Sequence, residues 1–295
     1  MLGTKKPGIK TWSTPVREEE RRPIPCALCG GEVFKPRLLC EGFSYVRCAR
    51  CGLVQMNPQP AAEAVARRYG EGHGGDYLSY ETANEAAFLH LQELALGDAG
   101  FYELEQELRA RLSRPPAVLD IGCATGSLLE KLRDRGWAVR GIEIGAPSAA
   151  YARSARGLEV STLPLEENHF PPHAFDLVLA SHLIEHLNDP ASLVQEVHRI
   201  LVPGGRFLVT TPNIGGLQAR LFRGRWRSAI FDHLYLFSTK TLSALLARAG
   251  FTVEKTVTWG GLAAGAAPLP LKRLFDRAAK PLGFGDVMLL RARKD

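Results

Sequence analysis

Beyond Pro115 and Pro116 the chain alternates between short β-rich runs and helical stretches. This alternation is typical of βαβ units, in which helices cross over between parallel strands. Seven runs have the character of strands and are, in chain order, AVLDIG, AVRGIEI, LEVSTL, FDLVLASHL, GRFLVTTPN, FTVEKTVTW and DVMLLRARK. We therefore predict an α/β fold with a seven-stranded, mostly parallel sheet and helices on both of its faces.

Two helices of this domain have clear start signals. The first places Pro190 at its first position, directly behind Asp189 as the N-cap residue. Its buried face is expected to comprise Leu193, Val194, Val197, Ile200 and Leu201. The second helix begins after Ser238 and stops at Gly250. Its buried face is expected to comprise Leu242, Leu245, Leu246 and Ala249.

The chain before this domain divides into three parts. Residues 1–22 are charged and poor in apolar side chains, so we expect a flexible tail. Residues 23–56 contain paired cysteines, and residues 57–114 are a helical connector. In the connector an apolar face recurs at helical spacing, through Phe101, Leu104, Leu108 and Leu112. Residues 115–295 form the main domain, with an insert at residues 214–237 that we expect to cover a substrate.

Four cysteines form two CxxC pairs, Cys26–Cys29 and Cys48–Cys51, separated by 18 residues. This spacing is typical of a zinc ribbon, and so short a segment needs a staple of this kind to fold. Four thiolates leave no open coordination position, so the sequence predicts a structural Zn²⁺ bound by Cys26, Cys29, Cys48 and Cys51. The alternative is a set of reduced, buried thiols, which is the role we expect for Cys40 and Cys123.

The first predicted strand of the main domain leads into a glycine-containing turn, in the segment VLDIGCATGSLLEKLRDRG. Gly122 and Gly126 permit positive φ angles and a close approach of the backbone to a ligand. Asp120 ends the strand, at the edge where open α/β sheets bind ligands, and its carboxylate suits an ammonium group. Glu143, about 20 residues further on, can accept hydrogen bonds from ribose hydroxyls. Ile144 beside it offers an apolar face for adenine.

Two alternatives exist for this turn. The glycines would also suit a tight strand-to-helix turn that binds nothing. A nicotinamide or flavin dinucleotide enzyme places a pyrophosphate at such a turn, but a GxGxxG loop would then be expected. The carboxylate of Asp120 would also put a negative charge near the two phosphates.

Four segments, LDIGCATG, GIEI, FDLVLASHLIEHLNDP and LVPGGRFLVTTPN, follow one another between residues 116 and 258. This ordered set resembles the motifs of class I S-adenosylmethionine-dependent methyltransferases, which have a Rossmann-like fold. The resemblance implies that the methionine portion of the cofactor lies against Asp120, Gly122, Cys123, Ala124 and Gly126. It further implies contacts of Glu143 with the ribose and a position near the adenine for Thr162 and Leu163. Ser181, at the end of the fourth strand, completes the predicted cofactor-binding residues.

This chain departs from the family at one position and resembles particular members at two others. Ala124 stands where the family often has a glycine, and its small side chain is expected still to permit close approach. The cysteine-rich head resembles those of some bacterial small-molecule methyltransferases, including deoxysugar C-methyltransferases. The segment after the fourth strand resembles ubiquinone-pathway O-methyltransferases.

A general base is needed when the acceptor of a methyl group must also lose a proton. The candidates are Glu185 and His186 after the fourth strand and His233 in the insert, with His182 a weaker one. HLIEH also matches the HxxEH pattern of a zinc-peptidase group, but Asn188-Asp189-Pro190 interrupts the long helix which that chemistry needs. A divalent metal bound by Glu185, His186 or Asp189 is a further alternative, as in the ubiquinone-pathway enzymes.

The implied function is transfer of a methyl group from S-adenosylmethionine to oxygen or carbon of a small-molecule acceptor. One alternative is an RNA methyltransferase, since a zinc ribbon and a net charge of +6 suit nucleic acid. Another is a non-catalytic module that keeps the cofactor as a ligand. No apolar run resembles a signal peptide or a transmembrane helix, so we expect a cytoplasmic protein. A basic amphipathic stretch at residues 270–282 is expected to pack on the domain.

Overall fold

The structure of the chain is a computed structural model that describes residues 18–70, 74–260 and 283–295. The head is built from five strands, β1 (Arg21–Arg22), β2 (Phe34–Cys40), β3 (Phe43–Cys48), β4 (Val54–Met56) and β5 (Gln59–Pro60). β2, β3 and β4 are antiparallel neighbours, and β1 pairs with β5. The expected tail, residues 1–22, thus ends in a strand. Its residues 1–17 and the basic stretch 270–282 lie outside the described residues.

Three helices follow the head, α1 (Ala62–Gly70), α2 (Gly74–Asp98) and α3 (Phe101–Arg111). α3 has the expected apolar face, with Phe101, Leu104 and Leu108 buried. The Phe101 ring stacks on Trp137 with ring centroids 5.5 Å apart. α3 is therefore fixed against the first βα unit of the main domain. In the part of the chain that the structure describes, no helix has both the length and the apolar character to span a membrane.

The main domain contains the seven strands that the sequence predicts. They are β6 (Ala117–Ile121), β7 (Ala138–Ile142), β8 (Val160–Ser161), β9 (Phe175–Ser181) and β10 (Leu201–Pro212), followed after β11 (Tyr235–Leu236) by β12 (Phe251–Trp259) and β13 (Val287–Lys294). The order across the sheet is β12-β13-β10-β9-β6-β7-β8. β6 to β10 are parallel, and β13 is antiparallel to both β10 and β12. The predicted Rossmann-like, mostly parallel sheet is confirmed.

Within residues 117–260, five helices join these strands, α4 (Ser127–Asp134), α5 (Ala146–Arg156), α6 (Pro190–Ile200), α7 (Leu217–Phe222) and α8 (Thr239–Arg248). Asp189 caps α6 as expected, because its Oδ1 accepts the amides of Ala191 and Ser192 at 3.0 Å each. Leu201, expected on the apolar face of that helix, is instead the first residue of β10. Ser238 caps α8 and exchanges hydrogen bonds with Thr241. Local capping signals therefore located both helix starts.

The head and the insert share a sheet, which the domain boundaries at residues 23–56 and 214–237 did not anticipate. β11, in the insert, pairs antiparallel with β4, and the order of this second sheet is β11-β4-β3-β2. Tyr45 of β3 and Trp226 of the insert are both buried in one hydrophobic core with strands of the main sheet. The head therefore packs as part of the main domain on the side of the insert.

Candidate functional site

The turn after β6 requires glycine at two positions. Gly122 and Gly126 both have φ of +78°, in the left-handed region. A Cβ at Gly126 would lie 2.5 Å from Cδ1 of Leu158 and 3.2 Å from Cβ of Ala152, so no larger residue fits there without movement. Because Gly126 directly precedes α4, the turn presents the first amides of that helix at the carboxyl edge of the sheet.

Ala124 lies in the middle of this turn with φ of +51°. Residues with a Cβ adopt this conformation at a cost of roughly 1–2 kcal/mol, which accounts for the glycine that the family often has here. The amide of Ala124 donates a hydrogen bond to Oε2 of Glu143 at 3.0 Å. This bond offsets part of the cost and joins the turn after β6 to the end of β7.

Glu143 directly follows β7 and accepts a second main-chain hydrogen bond, from Gly145 to Oε1 at 2.7 Å. Burial raises the pKa of its carboxyl group, while the two amide donors oppose this increase. A carboxylate has about four lone-pair positions, so two amide donors leave acceptor capacity for a diol. The side chain is thus held in one orientation before any ligand is bound.

Asp120 lies in β6 with only 4% of its surface exposed. Burial, and secondarily the negative charge of Glu143, raise the pKa of its carboxyl group to about 7. Asp120 is close enough to Glu143 to feel its negative charge and has no cationic partner among the described residues, so a cationic ligand would stabilise its ionised form. A sulfonium or ammonium group has this charge.

The remaining predicted cofactor-binding residues lie at the same edge of the sheet. Ile144 and Leu163 expose 45% and 47% of their surfaces, so both side chains are accessible to a ligand. Thr162 directly follows β8, and Ser181 ends β9. Cys123 is buried, and its Sγ would lie 2.7 Å from a Cβ at Gly141, so this thiol packs against β7. All predicted positions are therefore brought together around the ends of β6 to β9.

Helix α2 contributes two carboxylates that sequence analysis missed. Glu81 is buried and accepts a 2.6 Å hydrogen bond from Oγ of Ser148, in the first turn of α5. Glu85 forms an ion pair with Arg156 and accepts a 3.4 Å hydrogen bond from Oγ1 of Thr125, next to Gly126. The available signal was their spacing of four residues, which places both on one face of a helix. The pattern does not tell which part of the domain that face contacts.

On the other side of the turn lies the segment that follows β9. Cδ1 of Leu183 is 3.7 Å from the position of a Cβ at Gly122, so this segment packs directly on the glycine turn. Glu185 is fully buried, and its carboxylate accepts a 3.0 Å hydrogen bond from Oγ1 of Thr211. Its other oxygen lies 3.3 Å from Nδ1 of His182. Although burial alone would raise the pKa of Glu185, the hydrogen bond from His182 and the nearby imidazoles lower it to about 2.

His186 and His233 both donate through Nδ1 to main-chain carbonyl oxygens. His186 contacts the oxygen of Asp232 at 2.9 Å, and His233 that of Ser228 at 2.8 Å. A carbonyl oxygen only accepts, so the neutral rings carry the proton on Nδ1 and a lone pair on Nε2. Burial and the neighbouring His186 lower the pKa of His233 to about 4.

Glu185, His186 and His233 form one cluster, in which ligand atoms of all three lie within 4.8 Å of one another. Outward Nδ1–H bonds to carbonyl oxygens are also the arrangement that orients metal-binding histidines. The cluster could therefore act in proton transfer or hold a divalent metal. Asp189, the other metal ligand considered from sequence, instead uses its Oδ1 to cap α6.

The four paired cysteines form a second cluster in the head. The two CxxC turns have the same hydrogen bonds, since Cys26 and Cys48 each donate to the residue five positions later and accept from the glycine four positions later. Sγ of Cys26 lies 3.4 Å from Sγ of Cys51, and Sγ of Cys29 lies 3.6 Å from Sγ of Cys48. Tetrahedral Zn²⁺ with bonds of about 2.3 Å places its sulfurs about 3.8 Å apart, so this donor set fits zinc.

A seven-stranded sheet with a glycine turn after its first strand and an acid after its second belongs to the Rossmann-like class of cofactor-binding α/β proteins. Residues 98–256, more than half of the chain, match the family model for a methyltransferase domain. The chain therefore belongs to the methyltransferase domain family, and the resemblance to class I S-adenosylmethionine-dependent methyltransferases is confirmed.

Curated relatives match the chain over shorter spans. A ubiquinone biosynthesis O-methyltransferase of Pseudomonas aeruginosa is 36% identical over 102 residues, which are 32% of this chain and 44% of the relative. A protein of Mycolicibacterium smegmatis named as an S-adenosylmethionine-dependent methyltransferase is 33% identical over 141 residues, 48% of this chain and 53% of that protein. The chain thus spans about half or less of the length of these relatives.

One solved structure shares the fold at low sequence identity. It is a chain of the complex between the Haloferax volcanii Trm112 methyltransferase activator and a methyltransferase. The two chains superpose with a TM-score of 0.55 at 18% identity, over 74% of this chain and 94% of the other. This likeness supports the Rossmann-like architecture and nothing finer.

Proposed function

We propose that the protein transfers a methyl group from S-adenosylmethionine to an oxygen or carbon atom of a small-molecule acceptor. The observation that carries the proposal is the contact between the glycine turn after β6 and the segment after β9. The glycine turn with Asp120 and Glu143 suits the cationic cofactor, and Leu183 packs that turn against the segment that holds Glu185 and His186. A cofactor site and a proton acceptor therefore meet at one edge of the sheet.

On this proposal the chain binds the cofactor through the predicted residues. Asp120 balances the positive charge of the cofactor, and Glu143 accepts hydrogen bonds from the ribose. Backbone of the turn at Gly122, Cys123, Ala124 and Gly126 contacts the methionine portion, and Ile144, Thr162, Leu163 and Ser181 surround the adenosine. S-adenosylmethionine supplies an electrophilic methyl group on a sulfonium sulfur.

When bound, the cofactor would supply a methyl carbon to which the acceptor oxygen or carbon bonds as the carbon–sulfur bond breaks, and the electron pair of that broken bond would stay on the sulfur of S-adenosylhomocysteine. The proton of the acceptor passes to Nε2 of His186 or His233. Glu185, held by Thr211 and His182, stabilises the resulting imidazolium. Alignment of the reactants can supply roughly 7–11 kcal/mol, and proton transfer adds about 10²–10⁴-fold.

Two further features support a small-molecule acceptor. The matched relatives include ubiquinone biosynthesis O-methyltransferases, whose names specify O-methylation in the biosynthesis of a small molecule. The candidate base His233, which belongs to the insert, is only 8% exposed, so access to it favours a small acceptor. In the head, we propose that the four cysteines bind a structural Zn²⁺, which their sulfur spacing fits.

The test is a label-transfer experiment with the purified full chain and methyl-labelled S-adenosylmethionine. Extract from cells is separated into RNA, lipid and small-metabolite fractions, and each is incubated with the protein. Label in the small-metabolite or lipid fraction that survives nuclease treatment supports the proposal. Label only in nuclease-sensitive material would establish RNA as the acceptor and contradict it. Cofactor binding by calorimetry without label in any fraction would favour a non-catalytic module.

A further inference from the structure

The residues of the insert that carry His233 are held between the head and the main domain. Residues 230–234 are here called the His233 turn. The amide of Leu234 donates to the carbonyl oxygen of Glu185 at 2.7 Å, and the carbonyl oxygen of Leu234 accepts from the amide of Met56 at 2.8 Å. Leu234 is thereby hydrogen-bonded both to the candidate site, through Glu185, and to the head, through Met56.

Tyr45 of β3 reaches this turn with its side chain. It has no exposed surface, and its hydroxyl lies 2.7 Å from the carbonyl oxygen of His233 and 2.8 Å from that of Ile230. Both partners are acceptors, so the single hydrogen of the hydroxyl is shared between them in a bifurcated hydrogen bond. The amide of His233 also donates to the oxygen of Ile230, at 3.1 Å. The main-chain hydrogen bond between His233 and Ile230 closes the turn, and the Tyr45 hydroxyl links the same two residues a second time.

Aromatic packing supports the turn from the same strand. Phe43, two residues before Tyr45, contacts Tyr45 and Phe231 edge to face, with ring centroids 5.7 Å and 5.6 Å apart. Side chains of β3 thus contact Ile230, Phe231 and His233 of the turn. The ring of His233 is in turn oriented by its bond to Ser228.

We propose that Tyr45, a residue of the cysteine-rich head, is a positioning residue for His233. Loss of its hydroxyl leaves two buried carbonyl oxygens with one donor fewer, which favours opening of the turn and access of water. The His233 ring then loses its single orientation toward Glu185 and His186. The catalytic consequence rests on the proposed function, since it requires His233 to act in methyl transfer.

The first test does not depend on the acceptor. Long-range ¹H–¹⁵N spectra of the ¹⁵N-histidine-labelled, zinc-loaded full chain report the tautomer of each ring, and His233→Ala identifies the signals of His233. In the wild-type protein His233 is expected as the Nδ1–H form. In Tyr45→Phe its signals are expected to broaden or to shift toward a mixture of tautomers. Unchanged His233 signals would overturn the proposal.

Tyr235→Phe is the matched control. Tyr235 directly follows the His233 turn, but its hydroxyl donates to the carbonyl oxygen of Asn188 at 2.8 Å and so forms this bond outside the turn. We expect a similar decrease in melting temperature with unchanged signals of His233. Equal changes of those signals in both variants would overturn a specific role for Tyr45.

The second test is a double-mutant cycle on the rate of label transfer into the fraction that accepts it. Tyr45→Phe is expected to lower the rate roughly 10-fold in the wild-type background and less than about 2-fold in the His233→Ala background. Equal losses in both backgrounds would overturn the positioning role and leave the proposed function intact. A wild-type rate for His233→Ala would overturn the role of His233 and, with it, that of Tyr45.

Discussion

The imidazole rings of His186 and His233 meet edge to face, with centroids 4.8 Å apart and an interplanar angle of 78°. His186 follows β9, whereas His233 belongs to the insert, so the candidate site is built from two segments distant in sequence. Each ring is oriented by a carbonyl oxygen that belongs to the insert, Asp232 for His186 and Ser228 for His233. Displacement of the insert would therefore disturb both rings.

Substitution of either histidine by alanine is expected to lower the rate of label transfer about 10²–10⁴-fold, the usual contribution of a general base. The dissociation constant of S-adenosylmethionine, measured by calorimetry, should change less than about 2-fold, because neither ring lies on the glycine turn. His90→Ala is the control, since His90 is exposed on α2. Full activity of both His186→Ala and His233→Ala would contradict the assigned base.

The raised pKa of Asp120 predicts a pH-dependent stability. The pKa of its carboxyl group is about 7 in the folded protein, against 3.8 as the ordinary value. The folded state holds the proton more tightly, so the free energy of unfolding without cofactor falls as pH rises from about 4 to about 7. Below about pH 4 Asp120 is protonated in both the folded and the unfolded state, so it does not lower the free energy of unfolding. Above pH 7 the loss of free energy of unfolding caused by its ionisation is complete and amounts to a few kcal/mol.

Asp120→Asn removes this penalty. We expect the melting temperature of the cofactor-free variant to exceed that of the wild type by several degrees at pH 8 and to match it near pH 4. The same substitution should weaken binding of S-adenosylmethionine about 10-fold or more at pH 8, since it deletes the balancing charge. Equal melting temperatures at pH 8, or an unchanged dissociation constant, would contradict the placement of Asp120.

Substitutions at two glycines distinguish the cost of backbone strain from the cost of steric contact with an added Cβ. Gly126 and Gly157 both have positive φ, but only Gly126 has atoms within reach of an added Cβ, with Leu158 at 2.5 Å. Gly157→Ala is therefore expected to cost about 1 kcal/mol, from backbone strain alone. Gly126→Ala should cost about 1–3 kcal/mol more and also weaken cofactor binding, because the turn must shift. Chemical denaturation of the two variants measures the difference, and equal costs would contradict the packing of the turn.

Much of the main domain follows from local signals in the sequence. Strand runs such as FDLVLAS, the cap at Asp189 and the stop at Gly250 act within a few residues, and all three lie where the sequence predicts. The residues around the glycine turn could also be predicted, because parallel strands end at one edge of the sheet. Their roles stay predictions until cofactor binding is measured.

Long-range pairings could not be predicted in the same way. β11 has only two residues, Tyr235 and Leu236, and it pairs with β4 far earlier in the chain. Such a short strand has no alternation to detect, and its partner is chosen by tertiary packing. The contact of Tyr45 with the His233 turn and the contacts of Glu81 with α5 were also missed, because tertiary packing brings these distant residues together. Sequence analysis therefore predicted candidate residues for the chemistry but not the scaffold that orients them.

Because of that scaffold, we expect methyl transfer to depend on the zinc that we propose for the head. Cys48 ends β3, whose Tyr45 contacts the His233 turn, so loss of the four-cysteine cluster is expected to release β3 and β4 from the insert. The purified chain should contain one equivalent of zinc by mass spectrometry of metals. Cys48→Ser should lose the zinc and lower label transfer at least about 10²-fold, as expected when reacting groups are misplaced by about 1 Å. Binding of S-adenosylmethionine should remain, because the glycine turn lies outside the second sheet.

Cys40→Ser is the matched control for this prediction. Cys40 also belongs to the head, but its Sγ lies 3.7 Å from the carbonyl oxygen of Gly224 and outside the four-cysteine cluster. A serine there keeps a donor for that oxygen, so zinc content and label transfer should stay within about 2-fold of the wild type. Zinc loss in both variants would point to general instability of the head. Full label transfer by zinc-free Cys48→Ser protein would contradict the dependence of the His233 turn on the head.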